Sequence, residues 1–353
     1  MDSTIERTQN LGWNDELEVP FAPYRQRGFF AARVAAQYRG AFVLYWDGPD
    51  LWAELPGRML HRAGGALDLP AVGDWVVFEP LPPPSRSMIQ ALLPRRSAFV
   101  RKVAGQTTRE QVVAANVDVV FLVNALNEDL NPRRIERYLT LAWESGANPV
   151  IVLTKSDVCP DLEGALTEVQ GVALGTSIHI VSNVTGDGIA ELHSYVGSGR
   201  TIALLGSSGV GKSSLVNSLV GAEVQIVKEI REDGRGRHTT THRELIALPQ
   251  GGLVLDTPGM RELQLWEASD GIQGSFEDIV LLAHSCRFRD CTHRSEPGCA
   301  IRKAIKSGKL KSARYESYLK LQRELKFLET RRDKRAQSDA RKRIRARARA
   351  RRR

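Results

Sequence analysis

Cysteine is scarce, with four residues (Cys159, Cys286, Cys291 and Cys299) in 353. That is too few to staple a secreted scaffold of this size. Long apolar runs are lacking too, since none nears the ~20 residues that span a bilayer. The opening Met1-Asp2-Ser3-Thr4-Ile5-Glu6-Arg7 has no basic-then-apolar signal pattern. A disulfide framework and a helical membrane protein are thereby excluded, and a soluble, cytoplasmic chain with no membrane partner is expected. Acidic residues run short only at one end. Residues 286–353 hold 25 basic and 7 acidic groups, a net of +18, against 25 and 34, a net of −9, in residues 1–285. Such an end suits a polyanion or open solvent. At 42% hydrophobic and 26% charged, the chain can bury a core and is not wholly disordered. At roughly 150 residues per domain, its length predicts two or three domains.

Residues 28–95 read as short strands rich in aromatic and β-branched residues, separated by Gly40, Asp47-Gly48-Pro49, Gly64-Gly65, Gly73 and Pro82-Pro83-Pro84. Strands at this spacing predict a small barrel or sandwich, and a five-stranded barrel of the oligonucleotide-binding type fits the length. Trp46, Trp52 and Trp75 are read as core. From residue 112 the pattern changes. Residues 117–123 form the continuous apolar run of a strand buried on both faces, and Asn131-Pro132 supplies a helix cap and first-turn proline. Further apolar runs at 150–153, 178–181 and 202–205 alternate with helical segments, which predicts a parallel α/β sheet. Residues 300–330 read as helical and 331–353 as an arginine-rich tail.

The strongest motif is Gly206-Ser207-Ser208-Gly209-Val210-Gly211-Lys212-Ser213, a full G-x4-G-K-S after a strand and opening a helix that continues through Ser214. Its backbone N–H groups suit a phosphate chain, Lys212 the β- and γ-phosphates, and Ser213 a Mg²⁺ ion. Asp256-Thr257-Pro258-Gly259 ends another apolar run, 43 residues beyond Ser213. There Asp256 suits Mg²⁺ through water, and the Gly259 N–H suits the γ-phosphate. Between them, Gly236-Arg237-His238-Thr239-Thr240-Thr241-His242 reads as a switch, with Thr240 expected on Mg²⁺ and Thr239 or Thr241 as alternatives.

Thr154-Lys155-Ser156-Asp157 follows the run at 150–153. A carboxylate there accepts from guanine N1–H and the exocyclic amine, groups that adenine does not present in that arrangement. Lys155 can lie along the base, and Ser182-Asn183-Val184 can offer a backbone N–H to guanine O6. The order is permuted, because the base-reading segments precede the phosphate loop. Beyond it, Cys286, Cys291, His293 and Cys299 form C-x4-C-x-H-x5-C. Three thiolates and an imidazole make a closed, structural Zn²⁺ set.

In this order, T-K-S-D, S-N-V, G-S-S-G-V-G-K-S-S, G-R-H-T-T-T, D-T-P-G and the cysteine–histidine set resemble the circularly permuted GTPases of the ribosome small-subunit-dependent GTPase A family. The resemblance spans about residues 28–325, including V-G-D-W at 72–75 and L-P-R-R-S at 93–97. It implies a multidomain α/β protein with an N-terminal OB-type β-barrel, a circularly permuted P-loop GTPase domain and a C-terminal helical zinc-binding domain. The expected bounds are an N-terminal extension at 1–27, then 28–100, 101–265 and 266–330, with a basic tail at 331–353. It further implies GTP hydrolysis to GDP and phosphate, stimulated by the small ribosomal subunit in late 30S maturation, by a monomer in contact with rRNA. The alternative is a GTP-regulated RNA-binding assembly module with incidental turnover. Two departures stand out. Thr154 replaces the usual asparagine, so it lacks an amide to reach guanine N7 and brace the phosphate loop, and a loss of nucleotide affinity is expected. Met260 follows D-T-P-G where Ras-type enzymes carry a water-orienting glutamine, which leaves His238 as the expected catalytic group in this chain and Arg237 as a weaker candidate.

Overall fold

Short, largely apolar strands build the N-terminal barrel. In the computed structural model, which describes residues 7–81, 86–103, 109–220, 244–248, 251–256, 274–323 and 325–326, five strands close a barrel. They are β1 (Phe30–Tyr38), β2 (Ala41–Tyr45), β3 (Leu51–Glu54), β4 (Trp75–Glu79) and β5 (Ser87–Leu92). Their order is β1-β2-β3-β5-β4, with β4 returning to β1. Every second residue points inward, so Ala32, Val34, Phe42, Leu44, Val76, Phe78 and Ile89 fill the interior. Trp75 is buried as expected, but Trp52 is not core. It is 46% exposed, with its ring 5.1 Å from Tyr38 and the Arg86 guanidinium over it. Trp46 is half-buried against the barrel core.

A two-stranded ribbon, β6 (Ala98–Val103) and β7 (Arg109–Ala115), leads into a second sheet. Its strands are β8 (Val119–Ala125), β9 (Asn148–Thr154), β10 (Ser177–Ile180), β11 (Thr201–Leu205), β12 (Glu244–Ala247) and β13 (Leu253–Asp256). They lie in the order β10-β9-β8-β11-β13-β12. All neighbours are parallel except β12, which runs antiparallel to β13. The continuous apolar runs behave as double-sided burial requires, for β8 and β11 are buried along their whole length. Helix Pro132–Ser145 starts where Asn131 accepts the Arg134 N–H and ends at left-handed Gly146. Glu244 of β12 also pairs with Ala36 of β1, which makes barrel and sheet one hydrogen-bonded surface.

The motifs V-G-D-W and L-P-R-R-S lie where these two parts meet. Arg33 of β1 is fully buried, and burial lowers its pKa to about 10. Its guanidinium donates to the carbonyls of Gly73 (3.1 Å), Asn116 (2.9 Å) and Leu11. Gly73, at φ +91°, allows no side chain, because a Cβ there would lie 2.1 Å from the Ala115 carbonyl oxygen. Buried Asp74 takes two bonds from Arg95, each 2.7 Å, and one from the Ala71 N–H. Burial nonetheless raises its carboxyl above the usual range. The Arg96 N–H donates to the Asn116 side chain and Ser97 Oγ to the Val117 carbonyl. These motifs fasten barrel to sheet.

Residues 265–353 form a separate unit from residues 1–264. Its described part contains helices Glu277–His284 and Ala300–Lys306 and a helical stretch at 312–323. Buried Arg314 joins the 312–323 stretch to the first of these helices through Asp278 (2.8 and 2.9 Å) and the Ser275 carbonyl (2.9 Å). Among the described residues, no helix is long and apolar enough to cross a membrane. The tail at 331–353 lies outside them.

Candidate functional site

Strands β9, β10 and β11 all end at one edge of the sheet, and the loops that follow them come together there. This is the edge where parallel α/β sheets place ligands. After Leu205, the chain turns through Gly206–Ser213 into helix Lys212–Val220. Gly206 crosses so close to β8 that a Cβ would lie 2.3 Å from the Val123 carbonyl oxygen. Lys212 folds back over the loop, with Nζ donating to the Gly206 carbonyl at 2.8 Å and to that of Ser207. Ser207 is half-buried, Ser208 and Gly209 are exposed, and Val210 anchors the loop in the core. Ser213 and Ser214 lie exposed in the first helical turn.

The segments expected to read the base stand beside this loop. Lys155 takes a left-handed φ of 63°, and residues 156–158 turn in a single 3₁₀ turn. That turn carries Asp157 to the surface, where its carboxylate accepts the Ser182 hydroxyl at 2.6 Å. Ser182 Oγ in turn accepts from the Val184 and Thr185 N–H groups, at 3.2 and 3.1 Å. Asp157 is therefore held by the loop after β10. Thr154 departs from expectation. Its buried hydroxyl donates to the Val210 carbonyl at 2.6 Å, with the Asn124 carbonyl also near, at 3.3 Å. A short hydroxyl at a strand end reaches that carbonyl directly, so the phosphate loop is braced without an amide. Half-buried Asn183 places Nδ2 3.5 Å from the Gly211 carbonyl oxygen.

Asp256 ends β13, which lies against β11 in the register Ala203–Leu255. The remaining expected residues, His238 and Thr240 of the switch, Gly259 and Met260, lie outside the described residues. Sequence reasoning overlooked Asn124, buried at the end of the β8 run beside Thr154. One polar residue closing an apolar strand was the available signal.

A second cluster lies in the C-terminal unit. Cys286, Cys291, His293 and Cys299 bring their ligand atoms within 4.8 Å of one another, a set that can hold a metal ion. Sγ of Cys286 and of Cys299 each lie 3.5 Å from His293 Nδ1, and 3.9 Å apart. Burial raises the Cys286 thiol, but N–H groups of Ala300 and Ile301 and its neighbouring thiols bring it below the ordinary value. Cys291 is pushed up to about 11, by burial and by those same thiols. Glu296, which the sequence did not single out, orders the loop that presents His293. Its carboxylate accepts the Thr292 hydroxyl and the N–H groups of Thr292, Arg294 and Ser295, which holds its pKa down to about 2.

The family model described as RsgA GTPase matches residues 92–266. A protein of Opitutus terrae named small ribosomal subunit biogenesis GTPase RsgA is 47% identical over 325 residues, covering 89% of each chain. This chain belongs to the RsgA GTPase family. A relative of the same name from Syntrophotalea carbinolica is 46% identical, over 90% of this chain and 89% of its own. Among solved structures, YjeQ from Thermotoga maritima superposes with a TM-score of 0.63 at 28% identity, covering 84% of this chain and 98% of that one. YloQ, described as a circularly permuted GTPase, shares the fold at a TM-score of 0.60 and 23% identity, over 84% and 95%. Family membership gives GTP hydrolysis as the activity, on a barrel, a permuted GTPase sheet and a metal-competent C-terminal cluster.

Proposed function

We propose that the chain hydrolyses GTP at this sheet edge and acts on the small ribosomal subunit late in its maturation, in contact with rRNA, as a cytoplasmic monomer. The observation that carries the proposal is the junction of Asp157, held by Ser182, with the phosphate loop, braced by Thr154. Asp157 accepts from guanine N1–H and the exocyclic amine, the Lys155 stem covers the base, and the Asn183 N–H meets O6. The N–H groups of residues 206–214 take the phosphate oxygens. Lys212 exchanges its carbonyl partners for the β- and γ-phosphates. Ser213 and Thr240 would hold Mg²⁺, with Asp256 reaching it through water, and the ion would neutralise phosphate charge. The Gly259 N–H meets the γ-phosphate, and His238 orients the water whose oxygen displaces GDP from γ-phosphorus. Domain bounds of 28–100, 101–265 and 266–330 follow from this reading, after an N-terminal extension at 1–27 and before a basic tail at 331–353.

The test is GTP turnover with and without 30S subunits. Strong stimulation is expected, and His238→Ala should lose most of it, roughly 10²-fold, while GDP affinity is kept. Turnover indifferent to 30S subunits would favour a binding module, as the net +18 of residues 286–353 also permits.

The metal is Zn²⁺ in this reading. Ligands 2.3 Å from a tetrahedral centre lie about 3.8 Å apart, close to the 3.5–3.9 Å separations here. Cys286, Cys291, His293 and Cys299 would hold the ion, which would tie residues 286–299 together. Cys291→Ala is expected to lose the bound zinc, by elemental analysis, and to speed proteolysis around residues 280–325, with GDP affinity unchanged. Full zinc stoichiometry in that variant would refute the ligand set.

A further inference from the structure

We infer that the side-chain amide of Asn183 reads guanine N7, taking over the recognition that Thr154 cannot provide. The inference rests on the guanine reading of Asp157 and deepens it. Guanine offers donors on one edge, N1–H and the exocyclic amine, and two acceptors, O6 and N7, on the other. Asp157 meets the donors, so the acceptor edge must find N–H or O–H groups in the neighbouring loops. A hydroxyl has a single hydrogen, and three of those nearby are committed. Thr154 gives its hydrogen to Val210 O, Ser182 to Asp157, and Thr185 to the Asp187 carboxylate at 2.6 Å. The backbone N–H groups of Val184 and Thr185 are taken by Ser182 Oγ.

Asn183 is different. Its own N–H meets O6 in the reading above, and its amide carries two further hydrogens. Among the described residues, one of these has an acceptor, the Gly211 carbonyl. Its Oδ1 is buried without a partner among the described residues; being an acceptor like N7, it leaves any contact with N7 to the Nδ2 hydrogens. Position agrees with chemistry. One point beside Gly211, where a Cβ would stand, lies 3.1 Å from Asn183 Nδ2 and 3.7 Å from Thr154 Oγ1. The amide missing from position 154 is thus supplied at the same spot from position 183. Thr154 braces the phosphate loop while Asn183 contacts the loop and the base together.

Replacing N7 by a C–H group gives 7-deaza-GDP, a direct probe. The full-length protein is expected to bind GDP about tenfold more tightly than 7-deaza-GDP, the worth of one hydrogen bond. Asn183→Ala should bind GDP about tenfold more weakly and no longer distinguish the two nucleotides. Asn183→Asp, which turns an acceptor towards an acceptor, should lose more for GDP than for 7-deaza-GDP. Wild-type discrimination retained in Asn183→Ala would overturn the inference, as would a wild-type protein indifferent to N7. ADP separates the two levels. If GDP is preferred to ADP but the variant still senses N7, only the role of Asn183 falls. If ADP binds as well as GDP, the guanine reading itself has failed and the inference falls with it.

Discussion

Lys212→Ala is expected to lower GTP turnover about 10³-fold, as when a group aimed at developing transition-state charge is removed. The protein should still fold. Nζ of Lys212 lies on the carbonyls of Gly206 and Ser207; Ser207 is half-buried and Gly206 buried, so its loss costs at most about 1–3 kcal/mol for an acceptor left unpaired. The charge matters when a triphosphate fills the loop, so affinity for GTP should fall more than affinity for GDP. Single-turnover hydrolysis, nucleotide titrations and a thermal melt together check this. An unchanged rate would remove the phosphate role from Lys212, and a collapsed melting temperature would recast it as structural.

The largest effect on stability is expected at Arg33. Its guanidinium satisfies three backbone carbonyls, those of Leu11, Gly73 and Asn116, in a fully buried setting. Arg33→Met keeps much of the packing against Trp75 but removes the Arg33 donor from the Leu11 and Asn116 oxygens and leaves Gly73 only the Asn116 amide, at 3.1 Å. Breaking a buried charged network in this way costs about 3–5 kcal/mol. Arg33→Lys should recover little, because one ammonium cannot span a fork of separated acceptors. Urea unfolding of the full chain measures both variants. A loss under about 1 kcal/mol for Arg33→Met would show that water or neighbouring donors replace it readily.

How much could be read from residues alone followed from how local the physics was. The phosphate loop depends on a short run of backbone turns, so G-x4-G-K-S specified both its strand–loop–helix setting and its place. The double-sided burial of β8 and β11 was equally legible as uninterrupted apolar runs. Long-range choices were not. Nothing local in Phe30–Tyr38 distinguishes Arg33, whose acceptors lie in three distant segments, from an ordinary solvated arginine. The hydroxyl of Thr154 looked inadequate because an amide is longer, yet the approach of Val210 to 2.6 Å depends on how β9 and β11 straddle β8. Trp52 was misread for a related reason. Strand alternation says which residues share a face, and only closure of the barrel says which face turns inward.

The spatial order of the sheet also sets a timetable for synthesis. Strand β11 lies between β8 and β13, but the chain makes β8, β9 and β10 first. Domains fold from the N-terminus at roughly 5–20 residues per second as they are synthesised, so the nascent chain holds half a parallel sheet for some seconds. Throughout that interval the fully buried strand β8 presents an open, apolar edge, the kind of edge that recruits foreign strands. An unpermuted chain would lay down its central strand at the start and grow outward. In this one β11 covers that edge and brings the nucleotide loop with it, so the phosphate site is created as the edge of β8 is closed, before β13 and β12 complete the sheet.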